Sequence, residues 1–175
     1  MWTKSAFFLG FFLFIGISAN AQDVFESART GNIKQLKKLI ALDKDTIQKV
    51  NKMGFDPLMI ACYRGQTKCA EFLIKQGANV NSASAEGSAL QAACYQNNTE
   101  LGILLISKGA QLNGQGPDGN TALMYAVLNQ NPELVSALKK AGADLSLKNK
   151  DGQTAHSLAM TLENTEIQKL VEISH

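Results

Sequence analysis

A regularly recurring pattern constrains the fold of this chain more than any other feature. A Gly-Ala pair begins at Gly77, Gly109 and Gly142, and a leucine precedes each pair at a constant distance. These leucines are Leu58, Leu90 and Leu123. A period of about 33 residues predicts stacked repeats, in which each unit buries its apolar side against the next unit.

The segment 120–144 predicts the structure of one unit, which consists of two short helices and a stop. Thr121 can cap the start of the first helix, and Pro132 suits the first turn of the second. Gly142 suits the left-handed residue that ends the second helix. Apolar residues at helical spacing give each helix one side to bury: Leu123, Ala126 and Val127, then Leu134, Val135 and Leu138. Helices this short are not stable alone, so the unit needs neighbours.

The residues around these helices match a known motif. Residues 118–126 read DGNTALMYA, residues 54–61 read GFDPLMIA, and residues 151–155 read DGQTA. Together with the Gly-Ala pairs they resemble the ankyrin repeat family, whose motif runs D-G-x-T-P-L-H-x-A and ends in G-A-D-V-N. The resemblance covers nearly all of residues 23–175. It implies an all-α ankyrin-repeat solenoid of about five helix-turn-helix units with short β-hairpin fingers.

The repeat pattern also predicts the boundaries of the units. We expect an ankyrin repeat domain at residues 22–175, preceded by a separate segment at residues 1–21. The units are expected at residues 22–51 (the N-terminal cap), 52–84, 85–116, 117–149 and 150–175 (the C-terminal cap). The inner helices are expected at residues 57–64, 89–96 and 122–129, and the outer helices at residues 67–76, 99–108 and 132–141.

The chain departs from the family motif at several positions. The motif histidine is replaced in four units, by Met59, Gln91, Met124 and Ser157. The motif threonine is replaced by Asp56 and Ser88, whose side chains can still cap a helix. The third unit lacks one residue before Leu90, so we expect its finger to be distorted. The link at 43–49 is longer than its counterparts, which predicts a mobile loop or a family-specific contact.

The N-terminal segment at residues 1–21 has the features of a secretory signal peptide. Lys4 is followed by an uncharged, mainly apolar stretch at residues 5–17, and Ala19-Asn20-Ala21 then offers a cleavage site. We therefore expect an exported protein, periplasmic or secreted; an uncleaved membrane anchor is the alternative. A spanning helix needs about 20 apolar residues, which disfavours the anchor. Removal of residues 1–21 leaves a formal charge of +1, so neither nucleic acid nor, after cleavage, a membrane is an expected partner.

The resemblance implies that a partner lies on the concave side, against the finger tips and the inner helices. Transferred position by position, it predicts these partner-binding residues: Met53, Phe55, Tyr63, Arg64, Glu86, Tyr95, Gln96, Asp118, Asn120, Leu128 and Asn129. Tyr63 and Tyr95 occupy the same position in successive units, so we expect their rings to stack. The alternative to binding is that Phe55 folds onto the neighbouring finger and the tyrosines pack on each other. Tyr125 is expected to be half-buried.

The three cysteines have two possible roles. Cys62 and Cys94 share a small-residue position of the inner helices, and Cys69 lies at an apolar position of an outer helix. Buried thiols that pack as small apolar groups are the favoured interpretation. Because thiols outside the cytoplasm are usually oxidised, a Cys62–Cys69 disulfide or thiol-dependent redox chemistry is the alternative.

Catalysis is not expected from this sequence. Its two histidines are His156 and His175, and no nucleophile, phosphate-binding or metal-ligand motif accompanies them. We therefore expect no enzyme activity, no cofactor and no metal. The predicted function is an exported, monomeric module that binds another protein through its concave face. The alternatives are an exported factor that inhibits or protects an envelope enzyme, for instance under oxidative stress, and a thiol-dependent redox protein.

Overall fold

The computed structural model describes residues 24–172. The predicted signal peptide at residues 1–21 and the C-terminal His175 therefore lie outside the described residues. Within the described range the regular secondary structure is mostly helical, with one short pair of strands, as the repeat pattern predicted. None of the helices in this range has the length and apolar character needed to cross a membrane.

Helices alternate along the chain between an inner row and an outer row. The first helix, α1, covers residues 24–30. The inner helices that follow are α3 (Pro57–Tyr63), α5 (Ala89–Tyr95), α7 (Ala122–Leu128) and α9 (Ala155–Met160). The outer helices are α2 (Ile33–Leu42), α4 (Thr67–Lys75), α6 (Thr99–Ser107), α8 (Pro132–Lys140) and α10 (Thr165–Leu170). The predicted helices of the three central units each extend slightly beyond the observed C-terminal ends, which is within the usual uncertainty of helix ends.

The helices stack in two parallel rows with one continuous core between them. Inner helices α3, α5, α7 and α9 contact one another in sequence, and outer helices α4, α6, α8 and α10 do the same. The leucines of the repeat, Leu58, Leu90 and Leu123, are all fully buried. The predicted solenoid is therefore confirmed, and its core follows the period found in the sequence.

Polar side chains fix where each helix begins. The carboxylate of Asp56 accepts a 2.7 Å hydrogen bond from the Met59 backbone N–H, and Ser88 and Thr121 cap α5 and α7 in the same way. Asparagines cap four outer helices and recur at nearly the same period: Asn32, Asn98, Asn131 and Asn164. Gly142 has a φ of 94°, the left-handed conformation expected where an outer helix ends.

The fingers that precede the inner helices have two geometries. At residues 51–55, 116–120 and 149–153 a backbone hydrogen bond between the first and last residues closes a tight turn. In the third unit, β1 (Ala83–Ser84) pairs with β2 (Gly87–Ser88) in antiparallel register across a short loop. The missing residue therefore produces a shorter, strand-paired hairpin, and this is how the expected distortion appears.

The long link after α2 is a packed element rather than the mobile loop that was one expectation. Residues Lys44–Gln48 form a 3₁₀ helix in which Thr46 and Ile47 are buried. The Gln48 side chain donates a 3.0 Å hydrogen bond to the Gly77 carbonyl oxygen, which ties the link to the next unit. The inserted residues thus help to close the N-terminal end of the core.

Candidate functional site: the finger face

The predicted partner-binding residues lie along one surface, which we call the finger face. It consists of the finger tips together with the exposed C-terminal ends of the inner helices. Met53 and Tyr95 are its most exposed large apolar or aromatic side chains, with 64% and 59% of their surface accessible. Arg64, Glu86, Gln96, Asp118, Leu128 and Asn129 are exposed too, Phe55 and Tyr63 are half-buried, and Asn120 is buried. The finger face therefore offers apolar and aromatic side chains beside charged ones.

A groove of about 520 Å³ occupies the N-terminal end of the finger face, and we call it the N-terminal groove. Met53 and Phe55 of the first finger line one part of it, and Tyr63 and Arg64 at the end of α3 line another. The Phe55 ring meets the Tyr63 ring edge to face, with 5.4 Å between centroids. The groove thus combines an aromatic wall with an exposed guanidinium group.

A smaller cavity of about 200 Å³ lies beside it, between the second and third fingers, and we call it the tyrosine pocket. The chain has three tyrosines, and all of them line this pocket. The other lining residues are Glu86, Gln91, Pro117 and Asp118. Tyr95 and Tyr125 pack edge to face with centroids 5.6 Å apart.

The predicted stack between Tyr63 and Tyr95 is wrong. Both rings line the tyrosine pocket, but each packs against another aromatic ring: Tyr63 against Phe55 in its own unit, and Tyr95 against Tyr125 in the next. Helix axes that pack side by side lie about 8–10 Å apart, so rings that extend in parallel from equivalent positions are separated by more than a stacking distance. Residues one helical turn apart can approach diagonally, and Tyr125 does so.

Hydrogen bonds hold two of the three tyrosine hydroxyls. The Tyr63 hydroxyl donates to the Glu86 backbone carbonyl over 2.6 Å. The Tyr125 hydroxyl donates to the Asp118 carboxylate, at 2.9 and 3.0 Å from its two oxygens. Burial and, for Tyr125, the bond to Asp118 raise the pKa of both phenols, so both stay protonated at neutral pH.

The Asp118 carboxylate stays charged in this setting. Burial acts to raise its pKa, but hydrogen bonds from the Asn120 backbone N–H, the Tyr125 hydroxyl and the Asn120 amide together outweigh it. The pKa of Asp118 is therefore held below its usual value. The tyrosine pocket thus has a negative charge at its rim at neutral pH.

Comparison with known proteins agrees with the repeated helix pairs of the fold. A family model for ankyrin repeats, spanning three copies, matches residues 24–115 and 90–173. The chain belongs to the ankyrin repeat family. Ankyrin repeats are generally non-enzymatic modules for protein–protein interaction.

Two curated relatives share part of the ankyrin region. One 50-residue segment, 29% of this chain, is 38% identical to Protein fem-1 homolog A-like of Mus musculus. A 71-residue segment, 41% of this chain, is 39% identical to Inversin of Gallus gallus. The matches span only 8% and 6% of those proteins, so the similarity concerns the repeats and not the whole relatives.

Three predicted binding residues make hydrogen bonds inside the ankyrin fold. The Gln96 amide donates to the Tyr63 carbonyl oxygen at 2.8 Å, and the Asn129 amide donates to the Cys94 carbonyl oxygen at 2.8 Å. Each therefore links the end of one inner helix to the preceding unit. Asn120 is only 8% exposed, and its amide donates to Asp118. These three side chains hold the finger face together, although Gln96 and Asn129 are themselves exposed.

Sequence reasoning missed Gln91 as a connecting residue. Its side chain is 4% exposed, its Nε2 donates to the Asn120 carbonyl oxygen at 2.8 Å, and its Oε1 accepts from the Ser88 N–H at 2.9 Å. The signal was present, since Gln91 stands where the ankyrin motif has histidine, a polar group on an otherwise buried helix side. It also missed Tyr125 as a lining residue of the tyrosine pocket.

The cysteines pack in the ankyrin core. Cys62, Cys69 and Cys94 are all free and buried, so the Cys62–Cys69 disulfide considered from the sequence is not formed. Burial raises the pKa of Cys69 to about 11 and that of Cys94 to about 12, and it raises the pKa of Cys62 as well. Since the thiolate is the reactive form, these environments disfavour thiol chemistry. Among residues 24–172, no cluster of three or more histidine, cysteine or acidic side chains could hold a metal ion.

Proposed function

We propose that this ankyrin protein is an exported, non-catalytic module that binds a partner protein through the finger face. The carrying observation is the exposed Met53 side chain beside a groove of about 520 Å³ with an aromatic wall. An apolar side chain at an exposed tip costs free energy in water, and a partner that covers it recovers that cost.

The residue types on this surface also favour a binding role. Tyrosine and arginine are enriched among the residues that dominate binding energy at interfaces. Tyr63 and Tyr95 lie at helix ends, where Gln96 and Asn129 bond to the backbone carbonyls of these two tyrosines. The aromatic side chains are thus presented from a backbone that is already ordered, which lowers the entropy cost of binding.

Export and a monomeric state complete the proposal. The support for export is the sequence of residues 1–21, in which a lysine, an uncharged apolar stretch and an Ala-x-Ala site follow in order. Fractionation of cells that express the full chain with a C-terminal tag tests this step. We expect the exported form to begin at Gln22; an intact N-terminus in the cytoplasmic fraction contradicts it.

The binding step is tested by affinity capture with the same tagged chain in its native cell. We expect a captured protein that is lost with the Tyr63→Ala/Tyr95→Ala variant, which removes two aromatic side chains from the finger face. A matched control is Glu100→Ala/Lys108→Ala, which changes two exposed residues at the outer helix α6. Circular dichroism verifies that both variants are folded.

The outcomes show whether the partner binds the finger face or another surface of the protein. Loss of the partner from the tyrosine variant alone supports the finger face. Equal retention by both variants contradicts this part of the proposal and moves the site elsewhere. Equal loss from both variants contradicts it too, because the outer helices would then contribute as much as the tyrosines.

A further inference from the structure

We propose that the tyrosine pocket is a subsite for a cationic side chain, a lysine or an arginine of the bound partner. The inference rests on the proposed function and specifies the chemistry of the partner at one position. It follows from which polar atoms face the pocket, from the charges around it and from its size.

The polar groups that line the tyrosine pocket are mainly hydrogen-bond acceptors. The hydroxyl protons of Tyr63 and Tyr125 are both donated within the protein, to the Glu86 carbonyl and to the Asp118 carboxylate. What these hydroxyl oxygens can still offer a ligand is lone pairs. The Gln91 amide is already bonded to Asn120 and Ser88. Among residues 24–172 the Tyr95 hydroxyl keeps its proton free, but the other side-chain oxygens of the pocket offer lone pairs, so a ligand that supplies donors, as an ammonium or guanidinium group does, suits most of its polar atoms.

The charges around the pocket have one sign. Glu86 and Asp118 contribute carboxylates, and no lysine or arginine is among the described residues that line the cavity. The Glu86 carboxylate makes no hydrogen bond within the described part of the chain, so it is available to a ligand. The N-terminal groove differs, because Arg64 lines it together with an ion pair between Arg29 and Glu26. The tyrosine pocket is thus the part of the finger face that complements a positive charge.

The aromatic rings supply the remaining attraction. A cation over a tyrosine face is attracted by the ring quadrupole, and three rings surround this cavity. Tyr95 is 59% exposed, so a ligand can reach its ring from solvent. A volume of about 200 Å³ suits the end of one side chain rather than a helix or a strand.

The test follows the tyrosine signals of the full chain by NMR after ring-¹³C labelling of tyrosine. Because every tyrosine of the chain lines the pocket, all three signals report on it. The probes are acetyl-Gly-Gly-X-Gly-Gly-amide peptides in which X is lysine, arginine, glutamine or norleucine. We expect lysine and arginine peptides to shift the tyrosine signals in a saturable, salt-sensitive way, and the two neutral peptides to leave them unchanged.

Two charge-removing variants sharpen the test. Asp118→Asn and Glu86→Gln should each weaken binding of the cationic peptides by about tenfold, the effect of losing one charge-assisted interaction. Glu86→Gln is the safer variant, because its backbone carbonyl still accepts from Tyr63 and its side chain holds no turn together. The matched control is Glu133→Gln at the exposed start of α8, which should change nothing.

The proposal is overturned if glutamine or norleucine peptides shift the signals as much as lysine does, if no peptide shifts them, or if both charge variants bind lysine as the wild type does. These results are distinguishable from failure of the proposed function. If the Tyr63→Ala/Tyr95→Ala variant loses its partner but no cationic peptide binds to the wild type, the finger face is supported as the binding surface and the cation subsite is contradicted. If the cationic peptides bind but the Tyr63→Ala/Tyr95→Ala variant retains its partner, only the cation subsite is supported.

Discussion

Two fingers of the row use the same backbone turn in different ways. The turns at 51–55 and 116–120 each contain a glycine with a φ of 79°, followed by one residue and then the helix cap. Before that glycine stands Met53 in the first turn and Asp118 in the other, and after it stand Phe55 and Asn120. One finger thus has apolar side chains where the other has polar ones.

The polar fingers are bonded to their neighbours and the apolar one is not. The Lys150 N–H donates to the Asp118 carbonyl oxygen at 3.0 Å, and the Asn149 amide donates to Asn120 Oδ1 at 3.0 Å. Within residues 24–172, no hydrogen bond joins the turn at 51–55 to the hairpin that follows it. The C-terminal fingers therefore stabilise one another, whereas the first finger keeps Met53 exposed and packs Phe55 against Tyr63 of its own unit.

The largest expected effect comes from adding a methyl group at equivalent glycines. A Cβ at Gly119 would lie 2.7 Å from the Lys150 nitrogen and 3.0 Å from the Asn149 carbonyl carbon, so the next finger must move. A Cβ at Gly54 would meet only the Ser84 side chain and backbone, at 3.4 Å or more. Because both glycines are left-handed, Gly54→Ala should cost about 1–2 kcal/mol of unfolding free energy. Gly119→Ala should cost about 3 kcal/mol or more.

Urea unfolding of the two glycine variants and the wild type measures this difference. Equal losses of unfolding free energy would show that the close contact between the fingers at 116–120 and 149–153 does not stabilise the fold. The proposed difference between the two ends of the finger row would then be contradicted.

The second prediction removes the link between the second and third fingers. At the position of Gln91 the neighbouring units have Met59 and Met124, so Gln91→Met keeps the volume and removes the amide. The Asn120 carbonyl oxygen and the Ser88 N–H then lose this partner. We expect a loss of about 1–3 kcal/mol in unfolding free energy.

Met124→Leu is the control for packing at the same position of the next unit, and should cost less than about 1.5 kcal/mol. If Gln91→Met is no more costly than this control, the buried hydrogen bonds do not stabilise the finger row.

The helices and their stacking were predictable because the signals are local and repeated. Helix caps, apolar periodicity and terminal glycines recur from unit to unit, so a helix start predicted in one unit supports the same prediction in the next. Ser88 and Thr121, which cap α5 and α7, are an example. The positions of Tyr63 and Tyr95 on one surface followed from the same period.

The contacts of the site were less predictable because they depend on distances between units. Sequence alone did not show that equivalent rings lie too far apart to stack, or that Tyr125 reaches Tyr95 diagonally. It also assigned Asn120 to an exposed tip, whereas its amide lies buried against Asp118 and Asn149. Such choices depend on which polar group comes within about 3 Å of another, and a repeat motif does not specify that.

The third prediction concerns binding rather than stability. Met53→Ala should weaken binding of the captured partner by about tenfold, the loss of one well-covered apolar contact. Its unfolding free energy should change by less than about 0.5 kcal/mol, since the side chain is exposed. Asp151→Ala, at the equivalent position of the last finger, is the matched control and should change neither quantity. Equal weakening by both variants would mean that the two ends of the row contribute alike to binding.

The smallest expected effect concerns the cap of helix α3, where Asp56 stands in place of the serine or threonine that caps the later inner helices. Burial raises the pKa of Asp56 above its usual 3.8, more than the hydrogen bonds from Met59, Ser82 and Leu58 lower it. For an acid with a raised folded-state pKa, the unfolded chain releases its proton first as pH rises. The Asp56 carboxyl therefore destabilises the wild type progressively above pH 3.8, and fully above its folded-state pKa.

Asp56→Thr removes this pH-dependent cost while it keeps an oxygen that can cap α3. We expect the variant to gain stability relative to the wild type as pH rises from about 3.8 towards neutrality, whereas the difference is constant below that range. Urea unfolding of both proteins at acidic and neutral pH isolates this residue, because the other carboxylates are common to both and cancel. A difference that does not vary with pH would mean that the Asp56 carboxylate is as well solvated in the folded protein as in the unfolded chain. The cap of helix α3 would then stabilise the fold as much as the caps Ser88 and Thr121 do, and the two ends of the finger row would differ only in the residues at their finger tips.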